Sequence, residues 1–206
     1  MNLTKETPLF INKISDTLYS GFWARLGALM LDSIFLIPFI LLVQYINGFG
    51  KYIYFITLVP YLLIVFGYQI YLPKKYGGTP GKLIVGNTII CINGQPITWK
   101  EAILRHCVTL ILTIVSVVFY SICISQADDE TFKSLSWIKR SRYLMSFSPS
   151  FFQVYNIINI VWVFSEFVVL LTNKRKRALH DFLAGTVIVK TKYLEEIRAS
   201  MYFNEV

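Results

Sequence analysis

The chain has 206 residues, of which 55% are hydrophobic and only 16% are charged, and its formal net charge is +8. Soluble domains carry about 25% charged residues, so this composition excludes a disordered chain and most soluble folds and indicates an integral membrane protein. In such a protein an excess of Lys and Arg collects in cytoplasmic loops, so the positive charge is no evidence for nucleic-acid binding. The three cysteines fit no metal-binding spacing.

Residues 4–20 carry Phe10, Ile14 and Leu18 at intervals of four. This single apolar stripe is typical of a helix that lies on a membrane surface. A partly ordered tail is the alternative, and the spacing alone does not decide between them.

Four windows of mostly apolar residues are long enough to cross a bilayer, for which a helix needs about 20 residues. They predict membrane-spanning helices over about 22–46, 52–72, 102–124 and 151–171. The expected fold is therefore an all-α polytopic membrane domain over residues 22–190. It is preceded by an N-terminal segment, 1–21, and followed by a tail, 191–206.

Lys and Arg residues are distributed unevenly between the two sides of these spans. Thirteen fall in the N-terminal segment, the second connection and the C-terminal part, against five in the first and third connections. Because basic residues are retained on the cytoplasmic side, both termini are predicted to be cytoplasmic. Four of the five lie in the third connection, 125–150. If that loop were cytoplasmic instead, one flanking span would have to be re-entrant.

The second connection is rich in turn residues at 76–82, and a run of β-branched residues follows. This run predicts a strand over Leu83–Ile92, and Asn93-Gly94 predicts a tight hairpin turn. Residues 185–190, after the fourth span, predict another short strand. A small cytoplasmic sheet that joins these strands is expected.

The pattern Thr98-Trp99-Lys100-Glu101 has the form of a capping box, so the third helix should begin near Trp99. Gly81-Lys82 lacks the flanking residues of a phosphate-binding P-loop. No nucleotide or other cofactor is expected there.

Ionisable and amide residues inside the predicted spans form a candidate intramembrane polar site. They are Arg25, Asp32, Arg105, Asn159 and Glu166. A charge near the bilayer centre costs roughly 2.5 to 3.5 kcal/mol, so each charge needs a partner, a hydrated cavity or a neutral form. Two interpretations remain open: a polar cavity in which Asp32 and Glu166 bind protons or cations, or a set of structural pairs that fix helix packing.

Arg25 and Asp32 are seven residues apart and therefore share one face of the first helix. Because side chains lean toward the N-terminus of a helix, Arg25 points away from Asp32 and needs an acid from elsewhere. No metal site is expected, since His106 and His180 are the only histidines and no cysteine lies close to His180 in a metal-binding spacing.

Three blocks of sequence resemble, in the right order, the RDD family of bacterial membrane proteins, which is named for one Arg and two Asp. The first block, 19–33, contains Arg25 and Asp32. The second begins at Gly78-Thr79-Pro80-Gly81-Lys82 and leads to Arg105, and the third is 177–186. The motif residues outside the polar site are Gly78, Thr79, Gly81, Lys82, His180, Asp181, Gly185 and Thr186.

The resemblance identifies Asp181 as the second Asp of the name. It implies a multi-span protein of the bacterial cytoplasmic (inner) membrane, without enzyme chemistry and often suggested to take part in transport. Asp181 follows the fourth span by about ten residues and can fold back to the membrane surface, where Arg25 lies. We therefore predict an Arg25–Asp181 ion pair, with Glu166 paired to Arg105 or competing for Arg25.

Two functions remain open at this point. One is a transporter or channel component for ions or small solutes that uses the intramembrane carboxylates and works as a homo-oligomer. The other is a non-transporting scaffold or assembly subunit of a membrane complex. The lipid bilayer is an expected partner and nucleic acid is not. No enzyme is expected, because no nucleophile–base pair or metal triad is apparent.

Overall fold

The architecture is that of a computed structural model, which describes residues 6–11, 17–148 and 150–203, with side chains as far as Met201. The described residues are mostly helical, and among them four helices are long and apolar enough to cross a membrane. They are α1 (Phe22–Asn47), the helical stretch Ile53–Ile84, α5 (Trp99–Gln126) and α8 (Phe152–Thr172). The prediction of four long apolar helices is therefore confirmed.

The second of these helices is not uniform. It consists of α2 (Ile53–Phe66), a π-helical segment (Gly67–Tyr71), α3 (Leu72–Tyr76) and α4 (Pro80–Ile84). The helix α4 begins where the sequence predicted a turn, and it occupies the start of the predicted strand Leu83–Ile92. The physical reason is Pro80, which stands at the first helical position, where its missing N–H is not needed.

The chain divides into two compact units. The first comprises residues 1–34, 67–107 and 163–206, and the second comprises 35–66 and 108–162.

A two-stranded antiparallel sheet organises the first unit. Strand β1 (Asn87–Cys91) pairs with β2 (Thr186–Lys190), and Ile89 lies opposite Ile188. The predicted pairing of the second connection with the C-terminal strand is thus confirmed. The returning arm of the predicted hairpin contributes a single bridge, from Ile90 to Pro96.

The N-terminal segment joins this sheet. Residues 6–11 and 17–20 are not helical, and Tyr19 forms a bridge with Val189. Of the two interpretations of residues 4–20, the surface helix is therefore wrong for 6–11 and 17–20, while 4–5 and 12–16 lie outside the described part. Leu18 and Tyr19 are both buried, in a cluster that includes Val187 and Val189. Pairing with the sheet satisfies the backbone groups that a helix would have satisfied internally.

Short helices complete the first unit. They are α9 (Leu179–Ala184), a single 3₁₀ turn (Thr191–Tyr193) and α10 (Leu194–Phe203). Helix α5 begins at Trp99 as predicted. The N–H of Thr98 donates to the Glu101 carboxylate at 2.8 Å, and the N–H of Lys100 donates to the Thr98 hydroxyl at 3.2 Å.

In the second unit, the third connection folds into α6 (Asp129–Ser134) and α7 (Trp137–Met145). The Asp128 carboxylate caps α6 by accepting the N–H of Thr131 at 2.8 Å. Phe132 and Leu144 are buried with Tyr54 and Cys123. The flanking helices α5 and α8 are both continuous.

Candidate functional site

Among the described residues of the first unit, two carboxylates are buried, and the first of these is Asp181. Its side chain is 0% exposed, and it accepts a hydrogen bond from Arg25 Nη1 to Oδ2 at 2.9 Å and another from Arg105 Nη1 to Oδ1. The N–H of Ala178 donates to Oδ2 at 3.0 Å, and the hydroxyl of Thr186 donates to Oδ1 at 3.2 Å. The predicted Arg25–Asp181 ion pair is therefore confirmed.

Local structure explains why Asp181 can serve two arginines at once. It is the third residue of α9, so its carboxylate can turn back to the free N–H of Ala178 at the start of the helix. Gly185 ends the helix with φ +65°, a left-handed conformation that favours glycine, and Thr186 follows directly in β2. The Ala-Gly-Thr block therefore brings the Thr186 hydroxyl back to the same carboxylate.

Electrostatics keep Asp181 ionised. Burial alone would raise the pKa of its carboxyl, but Arg105 and Arg25, together with the Ala178 N–H, outweigh it and hold that pKa well below its usual range. Both arginines are also held elsewhere, since Arg25 donates to the Ser20 carbonyl at 3.3 Å and Arg105 donates to the Thr186 hydroxyl at 2.9 Å.

His180 connects this cluster to Glu166. Arg105 Nη2 lies 2.8 Å from His180 Nε2, and because a guanidinium can only donate, Nε2 must accept. The ring proton is thereby assigned to Nδ1, which lies against Glu166 Oε2. The backbone N–H of His180 also donates to Glu166 Oε1 at 3.1 Å. Burial, followed by the charge of Arg105, lowers the pKa of His180, so the ring is neutral at pH 7.

The predicted role of Glu166 was therefore wrong. Glu166 binds the start of α9 through His180, rather than pairing with Arg105 or competing for Arg25. The reason is that Asp181 accepts from Arg25 with one carboxylate oxygen and from Arg105 with the other, so it is already the ion-pair partner of both arginines.

The second buried carboxylate is Asp32, whose residue is 6% exposed. The Tyr68 hydroxyl donates to Oδ1 at 2.6 Å, the Thr79 hydroxyl donates to Oδ2 at 2.6 Å, and the N–H of Gly81 donates to Oδ1 at 2.7 Å. The ammonium of Lys82 lies 4.0 Å from Oδ2 and donates to the Thr79 hydroxyl at 3.2 Å. Asp32 is thus surrounded by neutral donors and one cation that does not touch it.

Two local features build this second site. Thr79 stands immediately before α4, and Gly81 lies in the first turn of that helix. Both residues donate to Asp32 of α1, so the start of α4 lies against α1. A Cβ at position 81 would meet the carbonyl of Ala28 and would lie 2.6 Å from Asp32 Oδ1, so only glycine permits this approach. Gly78 is also closely packed, since its Cβ would lie 3.3 Å from side-chain atoms of Lys82 and Leu83.

Sequence reasoning missed Tyr68. It lies in the π-helical segment, where the wider turn changes which side chains share a face with the rest of the helix. No motif in the sequence marks that change of period.

The polar residues predicted to lie together in the membrane are only partly brought together. Arg25, Asp32, Arg105 and Glu166 all lie in the first unit, in the two sites above. Asn159 lies in the second unit, where its amide donates to the Tyr155 hydroxyl at 3.3 Å. Among the described residues, no group of three or more His, Cys, Asp or Glu side chains could hold a metal ion.

Four apolar helices, with arginines from two of them closing on an aspartate of the C-terminal segment, define a multi-span membrane-type protein with a charge-paired polar core. The sequence model of the RDD family matches residues 19–185, and the chain belongs to this family. No curated protein sequence matches the chain, and no solved structure does so either.

Proposed function

We propose that this RDD protein is a transporter or channel component for protons or small cations, and that Asp32 is the group that binds the ion. The observation that carries this proposal is the 4.0 Å gap between the Lys82 ammonium and Asp32 Oδ2, in a site that is otherwise closed by two hydroxyl groups and the Gly81 N–H. An ionisable residue inside a membrane-spanning helix is costly, and its default explanation is an ion or substrate pathway.

The chemistry of the Asp32 site suits reversible exchange. Hydroxyl groups both donate and accept, so Tyr68 and Thr79 can turn their oxygen lone pairs toward a bound cation. Together with the carboxylate they would offer oxygen ligands, which hard cations prefer. Lys82 then acts as a tethered counter-charge that neutralises Asp32 when the site holds no ion.

The Asp181 site supports a different role within the same proposal. Both of its carboxylate oxygens are bound by arginines that remain charged at any physiological pH. Such a cluster holds the C-terminal segment against α1 and α5 and does not exchange its partners. Glu166 belongs to this fixed cluster and is not part of the ion site.

We further propose that both termini face the cytoplasm of a bacterial cell and that several copies of the chain assemble in the cytoplasmic membrane. Thirteen basic residues against five support the orientation. Four spans are few for a solitary carrier, which supports a homo-oligomer.

A non-transporting scaffold or assembly subunit is the second candidate. It is favoured by the complete pairing of Asp181, because a permanently closed ion-pair cluster suits a structural role better than an exchanging one. Under this alternative, the Asp32 site would also be structural and would hold α4 against α1, as the Asp181 cluster holds the C-terminal segment.

A flux assay in proteoliposomes distinguishes the two. The purified full chain is reconstituted, and movement of protons, Na⁺ and K⁺ is followed with ion-sensitive dyes. Transport predicts a flux above that of empty vesicles, lost in Asp32→Asn and retained in Glu196→Gln, an exposed control on α10. Normal flux in a folded Asp32→Asn protein would refute the role of Asp32. No flux for any of the three ions, with a defined second polypeptide co-purifying, would support the scaffold.

A further inference from the structure

A cavity of about 630 Å³ lies in the second unit, where the C-terminal end of α1 faces the α6–α7 segment. This volume is within the range of small-molecule sites, which is about 300 to 1,000 Å³. Two cations, Lys133 and Arg140, line it, and none of the described residues that line it is acidic. Both lie in the third connection, on the side of the spans that was predicted to carry few basic residues.

Arg140 is held in place by its neighbours, and the described residues leave one of its nitrogens without a hydrogen bond. Its Nε donates to the Phe132 carbonyl and its Nη2 to the Leu135 carbonyl, both at 3.0 Å. The guanidinium lies over the Phe132 ring, 4.6 Å from its centre. Its Nη1 makes no hydrogen bond with the described residues. The cation is therefore fixed by the fold, with one N–H₂ group still able to bind an anion.

The backbone leaves room for this free group. Gly48 follows the end of α1, and a Cβ built there would lie only 3.3 Å from Arg140 Nη1. The absence of a side chain at position 48 thus lets the guanidinium approach the cavity wall without being covered.

The remaining walls of the cavity are apolar and aromatic. Leu41, Tyr45, Phe49 and Trp137 line it and are exposed. Leu41 and Tyr45 lie in the last turns of α1, a helix long enough to span a membrane, so this end lies near the boundary between hydrocarbon and headgroups. Aromatic residues are enriched at that depth.

We infer that this cavity binds an anionic glycerophospholipid. The lipid phosphate lies between Arg140 and Lys133, and the acyl chains follow the exposed face of Leu41 and Tyr45. Guanidinium and ammonium groups both bind phosphate, and arginine does so with several donors. A zwitterionic lipid fits less well, since its own cation would be repelled by the two basic side chains.

A titration with short-chain lipids tests this site. The purified full chain in detergent is titrated with dioctanoyl phosphatidylglycerol, and binding is followed by melting temperature and tryptophan fluorescence. Arg140→Gln and Lys133→Gln are each expected to weaken binding about tenfold, as expected for the loss of a hydrogen bond to a charged group. Lys139→Gln, on the same helix but outside the cavity lining, is the matched control and should bind like the wild type.

Three results would overturn the inference. They are equal binding of dioctanoyl phosphatidylcholine, equal binding of inorganic phosphate alone, and unchanged lipid binding in Lys133→Gln. Because Arg140 also holds two carbonyl groups, its variant can fail to fold. In that case Lys133→Gln decides, since Lys133 is half-exposed and pairs with Asp129 at the surface.

Discussion

Asp181 and Asp32 are both buried acids of the first unit, but they are neutralised in different ways. Asp181 meets two guanidinium groups directly, while Asp32 meets two hydroxyls and one amide, with its cation 4.0 Å away. Removing one partner of a desolvated ion pair strands the other charge, whereas removing a charge from among hydroxyls strands only dipoles. Burial alone therefore does not reveal the role of an acid, because the kind of partner decides how much the stability of the fold depends on it.

The sharpest test of this contrast is Asp181→Asn. It leaves Arg25 and Arg105 charged without a carboxylate, so we expect a loss of about 3 to 5 kcal/mol in the free energy of unfolding. The measurement is the melting temperature of the purified protein in detergent. Glu196→Gln, which removes an exposed acid from α10, should leave that temperature unchanged. If Asp181→Asn melted like the wild type, the cluster would not be a structural clamp.

Gly81→Ala tests the close approach of α4 to α1. The new methyl group would collide with the Ala28 carbonyl and the Asp32 carboxylate, so we expect a loss of about 1 to 3 kcal/mol, as for other overpacked sites. Gly27→Ala is the matched control, because a Cβ there has no neighbour within 4 Å. Equal melting temperatures for the two variants would contradict the packing described for Gly81.

Asp32→Asn is expected to cost about 1 kcal/mol, clearly less than Asp181→Asn. The carboxamide keeps one acceptor oxygen for Tyr68 or Gly81, and the nearest cation, Lys82, is not in direct contact. Chemical denaturation of both variants in the same detergent measures the two losses in the free energy of unfolding. A loss as large as that of Asp181→Asn would erase the distinction between the two sites.

The smallest expected effect is a pH dependence from His180. Its pKa is lowered in the folded protein, while the unfolded chain has an ordinary value of about 6.5. The unfolded state therefore binds more protons as the pH falls below about 6.5, and the folded state loses stability in that direction. Between pH 7 and 6 we expect a loss below about 1 kcal/mol, measured as a falling melting temperature. In His180→Gln the change of melting temperature with pH should be smaller. The range from pH 7 to 8, in which His180 does not titrate, is the internal reference. An unchanged slope would show that His180 is not its source.

Local patterns were enough for the elements that depend on local interactions. Hydropathy predicted the four long helices, and the Thr98–Glu101 capping box predicted the start of α5. The β-branched runs also predicted the β1–β2 pairing, since each run can satisfy its backbone only with another strand. Motif resemblance then supplied Asp181 as the partner of Arg25.

The features that sequence reasoning could not supply depend on competition between distant groups. Arg105 is equally compatible with Glu166 or Asp181 along the chain, and the second oxygen of Asp181 decides the outcome. Tyr68 reaches Asp32 only because the helix widens at the π-helical segment. The helical spacing of Phe10, Ile14 and Leu18 predicted a helix, but the described residues 6–11 and 17–20 are not helical, and Leu18 and Tyr19 are buried against β2 instead.

The distance along the chain between Asp181 and its arginines has a consequence for biosynthesis. Arg25 and Arg105 precede Asp181 by 156 and 76 residues. At about 5 to 20 residues per second, the ribosome adds the counter-ion of Arg25 roughly 8 to 30 s after Arg25 itself. The first and third long helices are therefore synthesised before the carboxylate that pairs with their arginines. A nascent chain that stops short of residue 181 therefore leaves both arginines without their shared counter-ion.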